Sequence, residues 1–505
     1  MERASVHIAF VLAVLAGAVA PVRAQEADVT LRGAQTGEAG AAPADDLELE
    51  SEAVPPARRG PTAAPVGLTE PATLRLRKPN RVTRIGALPD VAQRATEGAP
   101  DPATTAALPE GIEPPIATPA PANRRARAAD DPYAPIGIRA GSFLLYPSIT
   151  VALGYEDNPS QAENPGSGAL YGHLRPRFEF RSDWSRHSLS GTVEATRRRY
   201  LSGSEEDRPS LNSVVDGRLD ASADTALEGQ LRLTLDTEAT GSDSVPDTAL
   251  SRPQTVATGA TLGVTQQLGR LSLRLRGTID RNTYEDVPLS GGGKLSGAVR
   301  NRTAMGAQLR ASYEITPGMR PFAEIEVDRR VYDETASEDR NSTGLAGRVG
   351  TTFEVTGILN GEASIGYGRR SIDDPALPEL RGLLIDSSLV WEASALTTLT
   401  LTADTTFNET TLTGASGAQA TTLGLAVRHS FRRNLIATAA LSTTWADFQG
   451  TDRKEATLNG ALGVEYRLTP SLAVTADFTH TRFDSNAAGA DYTANAIQVG
   501  LRLQR

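Results

Sequence analysis

From about residue 141 to the last residue, the chain alternates apolar and polar side chains with a period of two. No other feature restricts its fold so tightly. Leu271, Leu273, Leu275 and Ile279 alternate with Ser272, Arg274, Arg276, Thr278 and Asp280. The same texture recurs in Leu227, Leu231, Leu233 and Leu235 against Glu228, Gln230, Arg232 and Thr234, and in Ala323, Ile325, Val327 and Val331 against Glu324, Glu326, Asp328 and Arg330. A period of two puts the two sets on opposite faces of a strand. The alternating runs are about 11–15 residues long, against about five or six in soluble sheets.

The predicted strands are 141–155, 169–182, 187–200, 212–223, 226–236, 254–266, 270–283, 300–313, 319–332, 341–354, 358–370, 380–394, 396–408, 418–431, 434–448, 453–467, 470–484 and 492–503. Short turns (183–186, 267–269, 316–318, 432–433, 469–470) alternate with longer polar loops (156–168, 237–253, 284–299, 409–417). That rhythm belongs to an up-and-down sheet across a bilayer. Backbone groups in lipid must all be paired, so such a sheet has to close. The expected fold is therefore all-β: a transmembrane antiparallel up-and-down β-barrel of eighteen strands, with sixteen as the alternative count. A solenoid would show a repeat of 20–50 residues, and none is found. A sandwich would bury one bulky apolar face, whereas here the second face is too charged for a core.

The first 130 residues read differently. A polar leader, an apolar run over Ile8–Val19 and the small residues up to Ala24 form a secretory signal over 1–24. Residues 25–130 form a Pro/Ala-rich extension, expected to be disordered and periplasmic; 18 of the chain's 31 prolines precede residue 137, and the apolar residues are too scattered to offset chain entropy. One interruption is basic: Arg75, Arg77, Lys78, Arg81 and Arg84 lie among Leu74, Leu76, Val82 and Ile85. It is read as a docking segment for an acidic surface or a pore interior, or else as a solvated linker. The barrel domain is assigned to 131–505.

The junction carries a family resemblance. Asp131-Pro132-Tyr133-Ala134-Pro135-Ile136-Gly137-Ile138-Arg139-Ala140-Gly141-Ser142-Phe143 leads through Leu144-Leu145-Tyr146-Pro147-Ser148 to Gly154-Tyr155-Glu156-Asp157-Asn158. This stretch resembles the opening of the putative β-barrel porin-2-like outer-membrane family, found mainly in alphaproteobacteria. The resemblance implies an outer-membrane barrel beginning near Gly141 behind an unstructured extension. It brings no defined substrate, catalytic residue or cofactor, and it admits a role in polysaccharide export.

Chemistry is sparse. There is no cysteine, which excludes thiolate metal sites and cysteine nucleophiles, and the net charge of −10 argues against a nucleic-acid partner. No metalloprotease, serine-hydrolase or phosphate-loop pattern occurs around the histidines, so no catalytic, cofactor or metal residue is assigned. Alternation instead assigns pore-lining residues: Arg175, Arg177, Glu179 and Arg181, then Glu194 and Arg198, then Arg232, Arg274, Arg276 and Arg310. Farther along come Asp386, Glu392, Asp404, Glu465 and Asp477, with Arg428 as the basic exception. The layout predicts a basic wall facing an acidic one, and a field across the pore. Tyr155, Tyr200, Tyr284, Tyr332 and Phe448, with Phe180, Tyr313, Phe353 and Tyr466, sit at strand ends and are expected to form interfacial girdles. No loop looks long enough to constrict the channel.

The functional expectation is a passive channel for small hydrophilic solutes in a bacterial outer membrane. The alternatives are a component of polysaccharide export or secretion, or a structural envelope anchor. Expected partners are outer-membrane lipid and lipopolysaccharide, the barrel assembly machinery, and a periplasmic envelope partner for the extension.

Overall fold

The computed structural model describes residues 131–505, apart from 203–206, 239–249, 335–338, 356–357, 409, 411 and 413. The signal, the extension and the basic cluster at 75–84 lie outside the described residues. One sheet holds nineteen strands: eighteen long ones and the three-residue Ile138–Ala140. The long strands are β1 (Phe143–Glu156), β2 (Ala169–Ser182), β3 (Ser188–Tyr200), β4 (Arg208–Asp220), β5 (Thr225–Thr237) and β6 (Gln254–Leu268). They continue with β7 (Leu271–Tyr284), β8 (Arg302–Tyr313), β9 (Met319–Tyr332), β10 (Ser342–Val355), β11 (Leu359–Ile372) and β12 (Leu380–Ser394). The last six are β13 (Thr397–Asn408), β14 (Gly417–Arg432), β15 (Leu435–Gln449), β16 (Lys454–Thr469), β17 (Leu472–Ser485) and β18 (Tyr492–Gln504).

Each strand pairs antiparallel with its chain neighbours, and β1 pairs with β18 from Ser148–Gln504 to Glu156–Ala496, which closes the barrel. Where β18 stops, Ile138–Ala140 takes its place beside Phe143–Leu145, so the ladder is continued at the base. The even count returns both ends of the barrel to the turn end. Two-residue hairpins need a backbone twist that matches the strands. Gly269 supplies it between β6 and β7 with φ +63°. Three other turns are adjusted by register shifts just before them, at Trp391/Ser394, Ser430/Arg432 and Arg467/Thr469.

Strand limits agree with the sequence reading to within two residues except at β4, expected at 212–223 and found at 208–220. Ser222 is the reason. Its hydroxyl accepts from the amides of Asp224 and Thr225 at 3.2 and 3.0 Å and fixes the turn earlier than the hydrophobic pattern suggested.

The convex face is apolar and bare: Leu153 is 67% exposed and Leu262 73%, with Val151, Leu309, Val499 and Leu501 alike. A patch of that extent is not left against water. It is the surface a bilayer covers. The concave face carries the polar set. The aromatic girdle is therefore only half of what strand-end position suggested. Tyr155, Tyr313 and Tyr466 point outward, whereas Tyr200, Tyr284, Tyr332 and Phe448 share the parity of the inward set and face the interior. Trp184, Trp391 and Trp445, all well exposed, add to the outer aromatics.

Candidate channel lining

The charged residues that alternation sets on one face share the concave side of the sheet. The decisive contacts join strands that are not neighbours, which only a concave surface allows. Arg232 Nη2 is 2.8 Å from Asp280 Oδ1, linking β5 to β7; Arg276 Nη2 reaches back from β7 to Glu228 on β5 at 3.1 Å. Arg198 on β3 meets Glu156 on β1 at 2.7 Å, and Tyr200 donates to the same carboxylate at 2.7 Å. Arg310 on β8 spans to Glu362 on β11 at 2.5 Å. Arg177 bridges Glu179 at 2.6 Å and Glu194 at 3.1 Å, and Arg181 donates to the Tyr146 hydroxyl at 2.5 Å. Arg175 is buried and stands opposite Thr150 of β1, while Arg274 stands directly opposite Arg310 in the β7–β8 register.

In the other half, Asp386 and Asp404 face each other directly across β12–β13. Glu392 lies at the turn end of β12, with Arg428 opposite Thr398 on β13–β14. Glu465 accepts from Arg467 at 2.5 Å and Arg502 at 2.7 Å, and Asp477 accepts from Gln498 at 3.1 Å.

The two opposed walls do not exist. Carboxylates at Glu156, Glu228, Asp280, Glu324 and Glu362 interleave with the arginines of the first half, and Arg467 and Arg502 interleave with the acids of the second. The physical reason is desolvation. A guanidinium packed on a wall needs a carboxylate within reach, because breaking such a pair costs about 3–5 kcal/mol. The missed partners share parity with the arginines, so the sequence held the signal; which strand each arginine would reach was not readable.

At the loop end the connections are tied to one another. Arg208 and Arg252 both donate to the Pro159 carbonyl, the latter at 3.4 Å, so the β1–β2 loop leans over β3–β6. Glu238 is fully buried against Arg300, whose guanidinium lies 3.9 Å from the Tyr284 ring centroid. Arg340 donates to the carbonyls of Thr410, Leu412 and Ala415 at 2.6, 3.0 and 2.8 Å. Guanidinium contacts thus tie several loops together at this end. On the outer rim, Lys294 at 2.6 Å holds the Asp286 carboxyl below its usual range, and Arg281 and Arg329 do the same for Asp333 and Asp373.

At the turn end, Asp131 pairs with Arg467 on the inner wall at 3.1 Å, so the described chain begins at the inner edge of that mouth. Among the described residues no group of three His, Cys, Asp or Glu side chains is placed to hold a metal.

A closed barrel with an apolar belt and a polar, charge-studded interior defines a porin-like protein of the outer membrane. The chain belongs to the family described as putative beta-barrel porin 2, whose model matches residues 131–505. No curated protein matches it. Among solved structures it is similar to the outer membrane protein OpdK from Pseudomonas aeruginosa, at 11% identity and TM-score 0.36, covering 72% of this chain and 99% of that one. Acinetobacter baumannii OccAB3 gives 11%, 0.34, 72% and 100%, and the copper transporter OprC gives 9%, 0.40, 73% and 81%. Likenesses this distant assign no substrate.

Proposed function

We propose that the barrel is a passive channel for small hydrophilic solutes. The observation that carries this reading is the exposure of Asn212, Asp216 and Thr234, which sit on the concave face of β4 and β5 yet remain open to solvent. A packed core would bury them; a water-filled lumen does not. Interleaved charges produce short-range fields of alternating sign, so selectivity between anions and cations should be weak.

The full chain refolded into planar bilayers is expected to give stepwise conductance with weak ion selectivity. A bilayer that stays silent at all voltages, with protein inserted, overturns the reading. The same recordings test the extension. Since Asp131 starts at the inner edge of the turn-end mouth, deletion of 25–130 is expected to raise conductance at low salt and to matter less at high salt. Neutralising Arg75, Arg77, Lys78, Arg81 and Arg84 should reproduce part of that change. Equal conductance at low salt would leave the extension no part in gating.

The longer loops are expected to face the cell exterior. Gly291→Cys, in the β7–β8 loop, should then react with an impermeant thiol reagent on intact cells, and Ala395→Cys, in the β12–β13 turn, only after permeabilisation. The reverse pattern inverts the orientation.

A further inference from the structure

The β12–β13 junction is unlike a closed barrel wall. Its ladder runs from the turn up to Asp386–Asp404 and stops there, although Leu380–Ile385 of β12 and Thr405–Asn408 of β13 are both extended. Above that point β12 stays paired to β11, from Leu383–Tyr367 to Leu380–Arg370, and β13 stays paired to β14, from Thr405–Thr421 to Asn408–Ala418. The two edges part and overlap. The inner face of β12 covers the outer face of β13 and β14: Leu380 and Leu384 are buried, and Thr405 is buried although it points outward. Glycines make the room. A Cβ at Gly368 would stand 2.8 Å from the Phe407 ring, and one at Gly382 would collide with the Gln419 carboxamide.

Unpaired edges are not left open in hydrocarbon. Here side chains span the gap: Gln419 Nε2 donates to the Leu383 carbonyl at 2.8 Å, and Arg330 reaches the Phe407 carbonyl from the inner side. Separating the flaps therefore breaks no backbone hydrogen bond between β12 and β13. It breaks the Gln419 and Arg330 contacts, loosens the grip of Arg340 on the β13–β14 loop, and slides Leu380 and Leu384 off Phe407.

The rim of the seam is cationic. Arg369 and Arg381 face each other directly on the outer surface, both exposed, and neither has a carboxylate within ion-pair distance among the described residues; Glu379, two residues before Arg381, pairs with neither. Like charges opposite one another destabilise a strand pair unless an anion lies between them. Directly beneath them the outer face is apolar, with Tyr367 opposite Leu383 and Ile365 opposite Ile385, all exposed. On the inner side, Arg330 of β9 donates to the Phe407 carbonyl at 3.4 Å, and Arg370 of β11, two strands along from it, shares Asp328 with it. Cations thus stand on both sides of a packed overlap of glycine, leucine and phenylalanine.

We propose that this seam is a lateral passage through which an anionic single-chain amphiphile exchanges between the lumen and the loop-end leaflet. The head is drawn to Arg369 and Arg381, and the chain passes between Leu384 and Phe407. The route is separate from axial diffusion of hydrophilic solutes.

The chain has no cysteine, so the seam can be locked selectively. The full-length pair Gly382→Cys/Gln419→Cys ties β12 to β14 when oxidised, and the cysteine at 419 removes the carboxamide a Cβ at 382 would meet. In intact cells, uptake of a dansyl-labelled undecanoic acid should fall at least about five-fold on oxidation and recover with reductant, while sugar flux in proteoliposomes stays unchanged. A cysteine pair at Leu425 and Leu441, directly opposite within the fully paired β14–β15 junction, should change neither. Arg369→Ala/Arg381→Ala should lower uptake of the acid but not of the matching dansyl alkylamine. Unchanged uptake with the disulfide formed, or an equal fall in sugar flux, overturns the proposal. Should the cysteine pair fail to fold, a fluorophore at Leu384→Cys reports instead. It should be quenched by nitroxide lipid, whereas one at Ser388→Cys, inward in the paired part of β12, should not; equal quenching overturns the passage as well.

Discussion

Arginine in place of Leu262 is expected to lower the unfolding free energy of the barrel by about 2–4 kcal/mol. Leu262 is 73% exposed near the middle of β6 and points outward. Its cross-strand partners are Gly229 on β5 and Gly277 on β7, so no neighbouring side chain shelters it and neither interface is close enough for a guanidinium to reach easily. The matched control is Thr234→Arg, on β5 but facing water on the concave side, where the change should cost about 0.5 kcal/mol or less. Reversible denaturant unfolding in lipid vesicles, followed through the three tryptophans, measures both. Equal losses would overturn the assigned facing, and a reversed order would mean that the two faces have been exchanged, since a one-residue slip in register moves every side chain to the other side.

That facing was the most legible property of the sequence. On β7, Arg274, Arg276 and Asp280 stand at even positions with Leu275 and Ile279 between them, and the structure keeps this parity without interruption along the strand. The tyrosines show the limit of a looser rule. Its strand-end position alone puts Tyr200 in a membrane girdle, yet it shares parity with Arg198 and donates to Glu156. Position along a strand sets depth; parity sets the face. What sequence could not give was the curvature of the wall, which decides that Arg232 meets Asp280 two strands away rather than a neighbour. The seam was hidden for a related reason. Leu380–Ile385 and Thr405–Asn408 are individually good strands, and only the three-dimensional course of the sheet parts them. Gly366, Gly368 and Gly382, clustered on one face, were the available hint.

Arg310→Met is expected to cost about 3–5 kcal/mol, the range for removing one partner from a buried ion pair. The Arg310 side chain is 4% exposed, with Nη2 2.5 Å from Glu362 and Nη1 3.8 Å from Glu324, and its guanidinium lies 3.4 Å from the Phe322 ring centroid. Methionine fills the stem but leaves Glu362 with the Thr352 hydroxyl at 2.8 Å and Glu324 with Arg348 at 3.3 Å, too little to balance two desolvated carboxylates. Adding Glu362→Gln should recover about half of the loss, because the second charge then goes with the first. The comparison that gives the experiment its meaning is Arg177→Met. That arginine also bridges two carboxylates, but its side chain is 33% exposed, and water competes for every contact, so about 0–1 kcal/mol is expected. A large cost at Arg310 with a small one at Arg177 would distinguish a dry, packed wall at β8–β11 from a wetter one at β2–β3, and would put the aqueous path toward the side where Asn212 and Thr234 are open to solvent. Equal small costs would mean that water reaches the whole circumference, and the channel would then be wider than the ion-pair ladder suggests.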